Sequence, residues 1–180
     1  MADQQPSPGG NGSGEAENQP QVGILAQYVK DLSVENPSAP AVFQWQVQPN
    51  VDVQFNFNVE KVADDVHELV MRIEVSARSE NGVHFVIDLS YGGVFGVRNV
   101  PEEALGPFLL VEAPRLIFPF ARQIIAGAVT DAGFPPLLLE PIDFGAAYMA
   151  QLQAAQQQQA DEGGGNGSGD QAPSDTPSET

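Results

Sequence analysis

The residues that could do chemistry are few and scattered. His67 and His84 are the only histidines, and neither has a second ligand at a fitting spacing, so no metal site is expected. Lys30 and Lys61 are the only lysines, and neither follows a glycine-rich loop, which excludes a nucleotide P-loop. The stretch YGGVFG, 91–96, has three glycines but opens no helix that could receive a phosphate; a bulge or a close backbone approach fits it better. No serine sits in a nucleophile elbow. The acid pairs Asp64-Asp65 and Glu102-Glu103 suit a turn and a helix start. The expectation is a protein that is not an enzyme and carries no cofactor.

Apolar residues outside any regular period are the stronger signal. The segment GFPPLLLEPIDF, 133–144, is a loop by its three prolines, yet it carries Phe134, Leu137, Leu138, Leu139, Ile142 and Phe144. A second proline-rich stretch, 37–49, carries Phe43 and Trp45. Loops ordinarily run over the surface. Either these two cap the protein's own core or they form an exposed apolar patch for binding or assembly.

The elements that would position them read in order. In VDVQFNFNVE, 51–60, Val51, Val53, Phe55, Phe57 and Val59 alternate with polar residues, the period of a strand with one dry face. ELVMRIEVSAR, 68–78, and VHFVIDLSY, 83–91, repeat the pattern, the latter with Phe85, Ile87, Leu89 and Tyr91 dry. Parity between these two strands predicts a three-residue loop with a bulge at Gly82, pairing Ser79 with Val83 and Ala77 with Phe85. YVKDLSVEN, 28–36, reads as a shorter strand, with Leu32 and Val34 inward and Asp31, Ser33 and Glu35 outward. The long, stiff 37–49 connection predicts a crossover that sets this strand beside 83–91.

The period then changes. PEEALGPFLL opens a helix at Pro101, which Gly106-Pro107 weakens. In RLIFPFARQIIAGAVTDAG, Ile117, Ala121, Ile124, Ala128 and Val129 have helical spacing, and Gly133 suits a C-terminal cap. Pro119 either starts this helix or kinks a longer one, the start being preferred. A last helix follows Asp143, a suitable N-cap. Strands first and helices after predict an α+β fold with a four-stranded antiparallel sheet.

Composition bounds the rest. The 180 residues carry 24 acids against 7 bases, a net charge of −17, and no cysteine. Residues 1–20 and 161–180, rich in Gly, Pro, Ser, Asn and Gln, hold eight acids and no base and are expected to be disordered. The 21–160 segment is left as one domain of ordinary size. So acidic a chain disfavours a nucleic-acid partner and an anionic membrane surface, while a basic protein partner is attractive. The N-terminus lacks the basic flank and apolar stretch of a secretory signal. No uninterrupted apolar run approaches the roughly 18 residues of a membrane span, so no direct membrane insertion is expected.

The segments KDLSVENPSAPAVF (30–43), LSYGGVFGV (89–97) and APRLIFPFARQIIAGAVTDAGFPPLLLEPIDF (113–144) resemble SecB, the bacterial protein-export chaperone family, in order from about 22 to 157. The resemblance implies a cytoplasmic homotetramer, a dimer of dimers, that holds unfolded precursor proteins without ATP and delivers them to the translocation ATPase SecA. It implies a client-binding groove at Phe43, Trp45, Phe134, Leu137, Leu139 and Phe144. Contact with the ATPase's basic tail falls on Asp31, Glu35, Val86 and Asp88, all four on the wet side by parity. Assembly falls on Phe85, Ile87, Leu89 and Tyr91, with the helical face of Ile117 and Ile124. In one departure, the family's crossover tryptophan aligns nearer Val47, whereas this chain has Trp45. The alternatives from other classes are an acidic oligomeric scaffold whose apolar loops serve only assembly, and a small-ligand binder or hydrolase that rests on the groove alone.

Overall fold

The computed structural model describes residues 19–163; both end segments expected to be disordered lie, but for their innermost residues, outside that range. Four strands, β1 (Gln21–Glu35), β2 (Asn50–Ala63), β3 (Val66–Ser79) and β4 (Gly82–Arg98), form one antiparallel sheet in the order β1-β4-β3-β2. The crossover, which holds a 3-10 turn at Ala41–Gln44, carries the chain from one edge of the sheet to the other, as its length and prolines predict.

The dry faces line up across the sheet. Phe55 opposes Ile73, which opposes Leu89, which opposes Leu32 on the edge strand. Against this row pack the residues of α2 (Ala113–Asp131), with Ile117, Ala121 and Ile125 fully covered together with Leu69, Met71, Ile73, Ile87, Leu89 and Phe95. Each of these side chains larger than alanine contributes roughly 1.5–3 kcal/mol by leaving water. The core lies over the two central strands, so the edge strands are covered only in part. Leu32 and Val34 share the inner face but remain 41% and 42% exposed. The reading that put both inward is right for the face and wrong for the burial.

Several boundaries depart from expectation for identifiable reasons. β1 starts seven residues before the predicted 28 because bulges between Ile24 and Ala26 and between Val29 and Asp31 break its alternation. The β3–β4 turn is tighter than parity suggests: Ser79 pairs with Gly82, Arg78 with Val83, and the bulge falls at His84, after which Ala77 meets Phe85 as expected. YGGVFG continues β4, and its close approach is real, since a Cβ on Gly92 would lie 2.9 Å from the Tyr28 ring.

The helical region is one run rather than two helices. α1 (Glu102–Pro107) leads through a π turn, Phe108–Glu112, into α2, with Pro107 and Pro114 on either side of the turn. Pro119 lies inside α2, so the preference for a helix start there is overturned; the helix gives up one backbone bond at this residue. Ile125 takes the core place that spacing gave to Ile124, which is only half-buried. By length and composition the run Glu102–Asp131, with an 18-residue window of mean hydropathy 1.4, is long and apolar enough to cross a membrane, although Arg115 and Arg122 interrupt it and one of its faces packs on the sheet. Gly133 caps α2 at φ +90°: its N–H bonds to Thr130 O at 2.9 Å and that of Phe134 to Val129 O at 3.1 Å. α3 (Phe144–Gly163) starts directly after Asp143 and forms a separate unit from Gly145 onward.

Candidate binding surfaces

The first surface forms where the crossover meets the end of α2. Val42 is buried and anchors the 3-10 turn, and Asn36 Nδ2 donates to Ala132 O at 3.2 Å, tying the crossover's start to the helix end. The cap at Gly133 turns Phe134 back over the sheet, 5.0 Å between ring centres from Phe85 and 5.7 Å from Phe43. A cavity of about 240 Å³ opens there, lined by Val42, Phe43, Trp45, Val47, His84 and Phe134 among others. Trp45 and Val47 share this cavity, so the two-residue offset of the tryptophan leaves it at the same site. Trp45 stands edge-on to His84 at 5.0 Å. His84 is buried, although the alternation of 83–91 that makes Phe85 dry would put it on the wet side, because the bulge turns it toward these rings. Phe43 is 55% exposed beside the Phe134 ring.

Not all six groove candidates lie on this surface. Leu137 is half-buried, and Leu139 and Phe144 belong to the protomer's core. Phe144 sits 5.7 Å from Phe118 and 5.8 Å from Phe57, ring to ring, and Arg122 holds the loop by donating to Leu139 O at 3.2 Å. The free residue of the loop is Leu138, 73% exposed, which the groove candidates omit. In a run of three leucines no period tells which one points out.

The second surface is the outer face of the sheet. Glu35 opposes Val86, Ser33 opposes Asp88 and Asp31 opposes Ser90, so the four residues expected on one side do share it. The face is not purely acidic. Arg72 on β3 donates through Nε to Asp88 Oδ1 at 3.0 Å and lies 3.1 Å from Glu74. The Arg72 guanidinium holds the Asp88 carboxyl below the usual range, and Asp88 above all raises the pKa of Arg72. Further along, buried Glu68 accepts from Tyr28 Oη and from Lys30 Nζ, the latter at 2.9 Å. These two donors, Tyr28 first, lower its pKa. Glu68 thereby clamps the edge strand where its bulge puts Lys30. Alternation along 68–78 puts Arg72 and Glu68 on the outer face but does not name their partners, which lie 16 and 38 residues away on neighbouring strands.

The third surface is a groove of about 440 Å³ between β1 and α2, lined by Leu32, Val34, Ile124, Gly127 and Ala128 among others. Of the residues expected in assembly, only Ile124 lines it. Phe85, Ile87, Leu89 and Tyr91 on β4 and Ile117 on α2 lie in the protomer's own core and are closed to direct contact with another chain.

The sequence and the fold have counterparts in known proteins. The family described as "Preprotein translocase subunit SecB" matches residues 15–155. The Protein-export protein SecB of Sphingopyxis alaskensis is 56% identical over 144 residues, 80% of this chain and 84% of that protein. That of Zymomonas mobilis is 55% identical over 134 residues, 74% of this chain and 82% of the relative. That of Erythrobacter litoralis is 47% identical over 170 residues, 93% of each. A solved SecB-like chaperone of Mycobacterium tuberculosis, in complex with an antitoxin peptide, shares the fold with a TM-score of 0.55 at 15% identity, covering 67% of this chain and 90% of its own. Sheet order, helical run and relatives together define a chaperone of protein export. The chain belongs to the SecB family.

Proposed function

We propose that the protein is a cytoplasmic homotetramer, a dimer of dimers, that holds unfolded precursor proteins without nucleotide and hands them to the ATPase SecA. One observation carries the holding role: apolar side chains exposed over a packed backing, with Phe43 tilted against Phe134 at the crossover cavity and Leu138 projecting from the loop. A non-native chain offers apolar segments to such a surface, and backed rings lose little freedom on binding. Arrangement as an assembly is supported by apolar residues left over by the protomer, among them Val22, Ile24, Val29, Leu32 and Val34 on β1 and Leu116 and Phe120 on α2. Phe85, Ile87, Leu89, Tyr91 and Ile117 act on assembly through the sheet they brace.

The outer face supplies delivery. On this face Glu35 lies opposite Val86, Asp88 one row further along and Asp31 a row beyond that, so an apolar spot ends an acidic stripe suited to a basic peptide. Asp31→Lys and Asp88→Lys are expected to weaken binding of SecA by roughly tenfold or more in a salt-dependent way, while client holding is unchanged. Titration of the ATPase onto each variant checks this; parent-like binding by both would remove the face from the account. The apolar β1 strand equally suits a scaffold that only assembles, and on that second reading neither variant changes anything but solubility.

A further inference from the structure

The acidic outer face has a base near its centre. Glu74 on β3 and Asp88 on β4 oppose each other directly, and two carboxylates so placed repel. Arg72 lies between them, Nη2 3.1 Å from Glu74 Oε1 and Nε 3.0 Å from Asp88 Oδ1, while Nη2 also reaches Asp88 Oδ2. Arg72, Ser90 and Asp31 occupy one cross-strand row, so the same guanidinium lies in the field of a third carboxylate. Its side chain is half exposed and open to replacement by a cation from outside.

We propose that Arg72 is an internal counter-ion that a basic partner must displace from Asp88, and that it thereby sets how tightly and how selectively this face binds cationic segments. This rests on the reading of the face as a docking site for a basic tail. Displacement is easy because Arg72 does not lose all its partners: when an incoming cation takes Asp88, the guanidinium keeps Glu74. An exposed pair of this kind is weak enough to exchange. Arg72 holds Asp88 through two parallel bonds, which one ammonium cannot reproduce. The face therefore selects arginine or clustered cations over an isolated lysine. A weakly charged segment fails to open it.

The test is a titration of the full chain with SecA at low and at high salt. It compares the parent with Arg72→Gln, Arg72→Lys, Glu74→Gln and Asp31→Lys, with client holding followed in each as a check on folding. Arg72→Gln is expected to bind about three- to tenfold tighter at low salt, since Asp88 is freed and a like charge removed, with the gain shrinking as salt rises. Arg72→Lys should fall between parent and Arg72→Gln, and Glu74→Gln should weaken binding because Arg72 then has only Asp88 to hold. Parent-like or weaker binding by Arg72→Gln, with Asp31→Lys impaired, would overturn the role of Arg72 and leave the face intact. Parent-like binding by Asp31→Lys would instead overturn the face, and Arg72 with it. Should Arg72→Gln fail to fold, Arg72→Lys decides: binding no tighter than the parent's overturns the proposal.

Discussion

Leu89→Asp is expected to yield no folded protomer, whereas Leu32→Asp is expected to fold and fail to form tetramers. The two leucines face each other across β1 and β4 on the same side of the sheet. Leu89 is fully buried under α2, and an unpaired carboxylate there costs several kcal/mol, a large share of the roughly 5–15 kcal/mol that a domain of this kind has. Leu32 is two-fifths exposed at the open groove beside Ile124, where a carboxylate stays wet in the protomer and is buried only by a second chain. Circular dichroism should show loss of structure for Leu89→Asp alone, and sedimentation should show smaller species for Leu32→Asp. A full tetramer of Leu32→Asp would mean that the groove between β1 and α2 is no interface.

The second large effect is expected at the crossover surface. Phe43→Ser combined with Leu138→Ser removes two side chains that the protomer leaves mostly in water, so its stability should change little. If each contacts a bound client, burying a Phe or Leu contributes about 1.5–3 kcal/mol, and the pair should lower client affinity by roughly a hundredfold or more. Fluorescence titration with an unfolded precursor reads this directly. Equal affinity for parent and variant would place the client elsewhere. Phe144→Ser is a poor substitute, since Phe144 is held between Phe57 and Phe118 and its loss would disturb the core.

Much of this architecture is legible in the chain because pure alternation leaves little choice. Val51 to Val59 and Leu69 to Ala77 could bury one face in no other way, and the stiff 37–49 segment could not close a hairpin, which fixed the strand order. What escaped has a common cause, a local irregularity whose sense comes from tertiary contacts. The bulges at Leu25 and Lys30 hide nearly the first half of β1 because they shift its parity. His84 moves from wet to buried through the bulge at that residue, and Pro119 stays inside a helix because the packing of Ile117, Ala121 and Ile125 against the sheet outweighs one lost bond. The acidic face was legible in Asp31, Glu35, Val86 and Asp88, whose parity is unbroken from Asp31 to Glu35. Arg72 was not, because its role follows from which carboxylates lie across the strands.

The central claim is that this chain holds non-native precursors without nucleotide. A denatured, slow-folding precursor diluted into buffer with one tetramer per molecule and no ATP tests it, with refolding followed by the precursor's own fluorescence. Refolding is expected to be arrested and to resume when a competing unfolded chain is added in excess. Refolding at the unassisted rate in the presence of stoichiometric tetramer would contradict it.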